Sequence, residues 1–432
     1  MLENLKNKTL LIVGMGKSGQ SVARFCLKHD IRFVAYDDKL TESTDYKIYS
    51  HVDQIFGIDG NVVHSIDLVI QSPGINGQIH PVIRCSKSKK IPILSDIDLF
   101  NQCRDHSIPC IGITGTNGKS TTTSLVAHIL NDHLQKENSE KYAWVGGNIG
   151  VPVLDLLIQE NQNEVAFYVL ELSSYQLDIA QQIALDIALF LNITADHIDY
   201  HGTFDAYQLA KEKIFRAAKI SIKPADLVVT SDIRILQDKC HLRGDHNLQN
   251  MQAAYLICKY LGVSLDTIYE AITSFKGIEH RQEIVFENEK CIVINDSKAT
   301  NADATETALK AFESYPIFLI LGGVAKDGGI LSLKSYLEKV EKIYLIGQAQ
   351  NLFLAQLQTM GIEKEKIETC ETLEKAVSVS LSDIQKCGDN SSKSILLFSP
   401  ACASFDQFLN FEDRGLRFKR LLDCYCSGCE PR

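Results

Sequence analysis

No apolar run in the 432-residue sequence is long enough to cross a membrane. The first such stretch, Leu10 to Val13, is also too short for a signal-peptide core and runs straight into glycines, so the expected compartment is the cytoplasm. Positive charge is not in excess either. Against 54 acidic residues stand 44 basic ones, and a formal charge of -10 excludes a general attraction to nucleic acid or to an anionic bilayer. Any polyanionic ligand must be met by a local pocket. The chain lacks internal repeats and low-complexity tracts, and Gly388 to Lys393 reads as a surface loop. Its 13 cysteines are odd in number and scattered, as reduced thiols are, rather than spaced as a disulfide framework. Cys424, Cys426 and Cys429 form a C-x-C-x-x-C tail that lacks the fourth ligand of a closed zinc site and reads as free thiols.

What is present is an α/β alternation that starts afresh three times. At about 150 residues per domain the length accommodates roughly three domains. Their expected bounds are 1–95, 96–277 and 278–432. In the first, strand-like runs at Thr9 to Val13, Arg32 to Tyr36 and Leu68 to Gln71 enclose a helix from about Ser18 to His29. Between the first strand and the helix lies Gly14-Met15-Gly16-Lys17-Ser18-Gly19, a full G-x-G-x-x-G, with Asp37 ending the next strand. Taken alone, that pattern suggests a dinucleotide site; a tight βα turn without ligand is the alternative.

The second unit carries the most specific signal. Residues 113 to 121 read ITGTNGKST, between an apolar run and a helix whose Leu125, Val126, Ile129 and Leu130 share a face. Backbone N–H groups of such a loop point at phosphate oxygens, Lys119 adds a cation near the terminal phosphates, and the Ser120 hydroxyl can hold Mg²⁺. A standard P-loop would have glycine at the position of Ile113, so Gly115 marks a variant. Apolar runs at Val165 to Leu170 and Ile187 to Ile193 end at Glu171 and just before Asp196 and His197. Ligands in open α/β sheets gather beyond the carboxyl ends of strands, which places Glu171 and His197 by the phosphates. The third unit alternates again, with strands expected at Cys291 to Ile294, Ile317 to Leu321, Ile343 to Ile346 and Ile395 to Phe398 in another parallel sheet.

Several blocks, GTNGKS at 115–120, GNIG at 147–150, ELSSYQL at 171–177 and His246-Asn247 followed by Asn250, together resemble the Mur ligase family. In the third unit, NDSKATN at 295–301 and SPACASFDQFLNFEDRG at 399–415 resemble the members that add D-glutamate. The resemblance implies a three-domain fold: a Rossmann-like UDP-binding domain, a central P-loop ATPase-like domain and a C-terminal Rossmann-like domain. It also implies a bacterial peptidoglycan-precursor enzyme, a monomer, that joins D-glutamate to the alanyl carboxylate of UDP-MurNAc-L-alanine through an acyl phosphate. Other Mur-type or folylpolyglutamate-type ligases are the alternative. A nicotinamide oxidoreductase and a regulatory ATP-binding protein are more distant ones.

Under the resemblance ATP is held by Gly115, Thr116, Asn117, Gly118, Lys119, Ser120, Thr121 and Thr122, with Asn250 at the adenine and Arg281 and Asp296 closing over the nucleotide. Two Mg²⁺ ions are implied, near Ser120, Glu171, His197 and a carbamylated Lys211, a residue whose spacing alone reads as a solvated helix lysine. Ser18, Asp37, Ser72, Asn148 and His197 contact the UDP substrate, so the glycine motif cradles a pyrophosphate rather than NAD. Lys298 holds the acyl phosphate. Thr300, Lys326 and Ser404 bind D-glutamate, with Phe411 as an apolar wall. Each has an ordinary alternative: a helix cap for His246, Asn247, Asn250, Thr300 or Ser404, a loop cation for Lys326, core for Phe411.

Overall fold

The computed structural model describes residues 2–427 except 40–42, 44, 57–64, 160–163, 182, 238, 241, 243, 327 and 387–392. The expected loop at Gly388 to Lys393 thus lies almost entirely outside the described residues, as do Cys429 and the side chains of Cys424, Cys426 and His246. The chain forms two compact units, Met1–Leu236 with Leu248–Ile272, and Gln237–Asn247 with Thr273–Arg432.

The first unit contains two parallel sheets. Strands β1 (Thr9–Val13), β2 (Arg32–Tyr36), β3 (Ile48–Tyr49), β4 (Leu68–Gln71) and β5 (Ile93–Ser95) lie in the order β3-β2-β1-β4-β5. Strand β1 is apolar after Thr9 because both faces are covered: Leu10 and Ile12 enter one core cluster, Leu11 and Val13 the other. The helix Lys17–Lys28 follows β1 and buries Val22, Ala23, Phe25 and Cys26.

The second sheet is built from β6 (Cys110–Thr114), β7 (Tyr142–Gly147), β8 (Val165–Glu171), β9 (Ala184–Phe190) and β10 (Ala217–Ile222), in the order β10-β9-β6-β8-β7, again all parallel. Strand β9 stops at Phe190, short of the expected Ile193, because the chain beyond it turns to support the neighbouring loop. The helix Asp96–Cys103 joins the sheets. A capping box of Ser95 and Asp98 starts it. Asp98 and Asn101 then accept the N–H groups of Gln181 and Ala184 at 2.8 and 3.0 Å, and Arg24 reaches Asp155 from the first sheet's helix at 3.0 Å.

The second unit holds six strands, β11 (Glu283–Glu287), β12 (Cys291–Asn295), β13 (Ile317–Gly322), β14 (Lys342–Ile346), β15 (Ile367–Glu371) and β16 (Ser394–Phe398), ordered β11-β12-β16-β13-β14-β15. This sheet is not wholly parallel as expected. Strand β11 pairs antiparallel with β12 through a tight turn in which Asn288 Oδ1 accepts the N–H groups of Lys290 and Cys291. No helix among the described residues is long and apolar enough to cross a membrane.

Candidate active site

Strand β6 lies at the middle of its sheet, between β8 and β9, and the loop Gly115–Gly118 leaves its carboxyl end. Neighbouring backbone sets the loop's shape. Thr116 N–H donates to Asn192 O at 2.9 Å, Asn117 N–H to Asn192 Oδ1 at 2.9 Å, and Thr194 N–H to Thr116 Oγ1 at 3.1 Å. Gly118 has a left-handed backbone, φ 81°, and a Cβ there would lie 2.1 Å from Asn250 Oδ1, so glycine is required twice over. Asn250, 2 % exposed, therefore lies beneath the loop and also accepts from Thr122 Oγ1 at 3.3 Å. The helix Lys119–Lys136 begins here, and its first N–H groups have no intrahelical acceptor, which makes its start an anion site.

Two lysines converge on one carbonyl. Lys119 Nζ folds back to Gly115 O at 2.9 Å and Thr116 O at 2.8 Å, while Lys211 Nζ donates to the same Gly115 O at 2.7 Å. Lys211 is not the solvated helix lysine its spacing suggested: it is 1 % exposed, with its ammonium 4.8 Å from the centre of the Tyr207 ring. Burial, then the neighbouring Lys119 charge, push its pKa down to about 7.

On the β8 side, Glu171 is 1 % exposed. Its Oε1 accepts from Asn148 Nδ2 at 2.8 Å, and the Asn148 N–H donates to Glu171 O at 2.9 Å, so the GNIG loop after β7 is fastened to the end of β8. Its Oε2 is buried without a partner. A buried carboxylate oxygen without a donor fits a divalent cation. Among the described residues no three His, Cys, Asp or Glu side chains converge on one point.

On the β9 side, His197 adopts a left-handed backbone, φ 52°, and its Nδ1 lies 3.0 Å from the Tyr175 hydroxyl. Tyr175, Tyr200, His201 and Tyr207 pack ring against ring around it. The Tyr207 hydroxyl closes the circuit to the loop at Thr116 Oγ1, 3.0 Å away.

At the first sheet, the glycine motif occupies the point where the strand order reverses between β1 and β4, where Rossmann-type folds bind ligands. A Cβ on Gly19 would lie 1.9 Å from Gly14 O, and Ser72 Oγ donates to that same oxygen at 2.6 Å. Asp37 accepts the N–H groups of Met15 and Lys39 at 2.6 and 2.9 Å, so its carboxylate holds the loop's shape.

In the second unit the adjacent strands β12, β16 and β13 bring three loops together. Asp296 is buried and accepts from Ser399 Oγ at 2.7 Å and Gln282 N–H at 3.1 Å; burial raises its pKa to about 7. The Lys298 ammonium lies 5.4 Å from the Phe411 ring centre. Ser404 is buried in the loop whose Ala403 bridges to Val324, two residues before the exposed Lys326. Thr300 is half-buried two residues after Lys298, its N–H donating to Lys298 O at 2.9 Å, and Arg281 is half-buried beside Gln282.

The profile described as the Mur ligase middle domain matches residues 113–228, the MurD-like N-terminal domain 8–95, and the Mur ligase glutamate ligase domain 280–402. The UDP-N-acetylmuramoylalanine--D-glutamate ligase of Rickettsia bellii is 34 % identical over 96 % of this chain and 97 % of its own. The chain belongs to the Mur ligase family. The equivalently named protein of Zymomonas mobilis is 34 % identical over 95 % and 96 % of the two chains. The fold is also that of solved Mur ligases. UDP-N-acetylmuramate-alanine ligase MurC from Thermotoga maritima superposes with a TM-score of 0.55 at 18 % identity, covering 98 % of this chain and 100 % of that one. MurF from the same organism, solved with ADP, gives 0.53 at 16 % identity over 98 % and 97 %.

Within this Mur ligase the first unit gathers Gly115 to Thr122, Asn148, Glu171, His197, Lys211 and Asn250 around one strand end, and holds Ser18, Asp37 and Ser72 around another. The second unit sets Arg281 next to the Gln282 that meets Asp296, and Lys298 and Thr300 together with Phe411 over the Lys298 ammonium, while Ser404 and Lys326 lie in two loops tied by the Ala403–Val324 bridge. Sequence reasoning passed over Tyr207, four residues before Lys211 and so on the same helix face. It also passed over Arg414, inside the quoted 399–415 block. Arg414 is buried, donates to Ser297 O at 2.7 Å and Cys402 O at 3.0 Å, and ties two of the three loops together.

Proposed function

We propose that this Mur ligase couples ATP cleavage to joining D-glutamate to UDP-N-acetylmuramoyl-L-alanine, with domains at 1–95, 96–277 and 278–432 for the UDP substrate, ATP and D-glutamate. The observation that carries this reading is likeness to named D-glutamate ligases along almost the whole of both chains. The same reading makes it a cytoplasmic monomer of bacterial peptidoglycan-precursor synthesis, acting on small molecules and not on nucleic acid.

A carboxylate is a poor electrophile, and transfer of the γ-phosphoryl group onto it creates a leaving group that the D-glutamate amine can displace. Two anions must meet for that transfer, so the chain's work is positioning and charge stabilisation. The loop Gly115–Gly118 and the first turn through Ser120, Thr121 and Thr122 cradle the phosphates. Lys119 releases its own loop carbonyls to follow the transferring group. Bound Mg²⁺, proposed as two ions, neutralises phosphate charge; Ser120, Glu171, His197 and carbamylated Lys211 are the residues that would hold it. A depressed pKa supports the modification of Lys211, because a neutral amine is the form that adds CO₂. Asn250 with Arg281 and Asp296 serves the nucleotide, while Ser18, Asp37, Ser72, Asn148 and His197 serve the UDP substrate. Lys298 supports the acyl phosphate and directs the incoming amine.

Offered a panel of amino acids with UDP-N-acetylmuramoyl-L-alanine and ATP, the purified protein is expected to give a product with D-glutamate and to release phosphate only when both substrates are present. Preference for another amino acid overturns the assignment of the third domain. For D-glutamate itself, Thr300, Lys326 and Ser404 with the Phe411 wall form the proposed pocket. Removing one charge-assisted contact is worth about 1.5–3 kcal/mol, so Lys326→Ala is expected to raise the KM for D-glutamate about 10- to 100-fold with kcat little changed. An unchanged KM removes Lys326 from the site.

A further inference from the structure

Two neighbouring side chains that the proposed mechanism does not use, Ser174 and Tyr175, open the helix Ser174–Ile179, and each meets a histidine of the loop across from it. The Tyr175 hydroxyl lies 3.0 Å from His197 Nδ1, and Ser174 Oγ lies 3.0 Å from His201 Nε2. That helix follows β8 and the two histidines follow β9, so the contacts clasp together the loops leaving the strands on either side of β6. Ser174 is buried and Tyr175 half-buried.

The backbone at His197 is strained. As it starts the helix Ile198–His201 it has φ 52° and ψ 32°, a left-handed conformation that a residue with a branched ring side chain keeps only where its surroundings hold it. Three contacts do so. Asp196 Oδ1 accepts the His197 N–H at 2.9 Å, the Tyr175 ring lies 4.9 Å from the imidazole, and the Tyr200 ring backs Tyr175 edge-on at 4.4 Å. The other ring nitrogen, Nε2, faces Asp196 Oδ2 at 3.5 Å, beyond the usual length of an N–H···O bond, and the side chain is 41 % exposed. Nδ1 is therefore the anchored nitrogen and Nε2 the available one.

We infer that Tyr175 is a positioning residue for His197, its hydroxyl holding Nδ1 so that Nε2 is the nitrogen offered to the cation. The inference rests on the proposed place of His197 among the residues that would hold Mg²⁺. A neutral imidazole gives a lone pair through one nitrogen only when its proton is on the other, and a hydrogen bond at that other nitrogen fixes ring orientation and tautomer together. A phenol oxygen serves this end because it accepts the Nδ1–H while keeping its own hydrogen. The proton is placed, not transferred.

The test is Tyr175→Phe, which keeps the ring contacts and removes only the oxygen. Losing the hydrogen bond that orients a ligating histidine weakens metal binding about 10- to 100-fold, so the Mg²⁺ concentration for half-maximal activity is expected to rise by that factor while the KM for D-glutamate holds. The second readout needs no turnover. It is ¹⁵N NMR of the histidine-labelled full chain with AMP-PNP and UDP-N-acetylmuramoyl-L-alanine, the His197 signals being identified by their absence from His197→Gln. In the native protein Mg²⁺ is expected to shift Nε2 and to leave the proton on Nδ1; in Tyr175→Phe the same shift is expected to need at least about tenfold more Mg²⁺. Ser174→Ala, which cuts the other half of the clasp, is expected to keep the native Mg²⁺ dependence of these signals. A native response in Tyr175→Phe, an equal loss in Ser174→Ala, or a proton on Nε2 in the Mg²⁺-loaded native protein overturns the inference. Native His197 signals indifferent to Mg²⁺ overturn the placing of His197 at the cation, and the inference with it.

Discussion

Lys211→Ala is expected to lower kcat by about 10³-fold, the scale of losing one preorganised electrostatic group at a phosphoryl-transfer centre, while the protein stays folded. The side chain is fully buried, yet its removal relieves a cation that shares the Gly115 carbonyl with Lys119. The space it leaves adjoins Tyr207 and Thr116, which are held to each other independently of it. If the working form of Lys211 is an anionic carbamate, a small free carboxylate can enter that space and supply the missing charge. Acetate or propionate should therefore restore part of the activity of Lys211→Ala and none of that of Lys119→Ala, in which the missing group is a cation. Lys211→Arg, unable to add CO₂ because its guanidinium stays protonated, is expected to be as slow as alanine and to gain nothing from added carboxylate. Wild-type activity in Lys211→Ala, or indifference of that variant to carboxylates, would falsify the carbamate reading.

The burial of Lys211 was not legible in the spacing of its own segment. A lysine in AYQLAKEKIF has the spacing of a solvated helix face, and its burial follows only from the parallel neighbours of β6, which bring the chain after β9 against the Gly115 turn. The loop itself was legible, because a strand, a glycine turn, Lys119 and an amphipathic helix occur consecutively, and local backbone chemistry fixes their arrangement. The long apolar strands were legible for the same reason. Edge strands were not: β10 alternates exposed and half-buried residues from Ala217 to Ser221 and buries only Ile222, β15 reads IETCE, and neither carries a sustained apolar signal. Antiparallel β11 was missed because no residue of EIVFE is fully buried. Contacts across long sequence separations, Asn148 to Glu171 or Gln181 to Asp98, depend on strand order, which composition and periodicity do not encode.

Glu171→Gln is expected to act in opposite directions on stability and on activity. In the native protein Oε1 is satisfied by Asn148, but Oε2 is buried without a donor, an arrangement that costs free energy until a cation meets it. Glutamine keeps the shape and the acceptor for Asn148 while removing the unpaired charge. The ligand-free variant should therefore melt higher, by about 2 °C for a gain near 1 kcal/mol. The concentration of Mg²⁺ needed for half-maximal activity should rise at least about tenfold, and kcat should fall about 100-fold or more. Mg²⁺ with a nucleotide raises the melting point of whichever form binds it, so the shift should be large in the native protein and small in the variant, reversing their order. A carboxylate that merely fastened the GNIG loop would behave otherwise. Its replacement would leave the Mg²⁺ dependence where it was and would lower the ligand-free melting point, since glutamine is the weaker acceptor for Asn148. Melting curves of the two proteins with and without Mg²⁺ and nucleotide thus separate a cation ligand from a loop fastener before any product is measured.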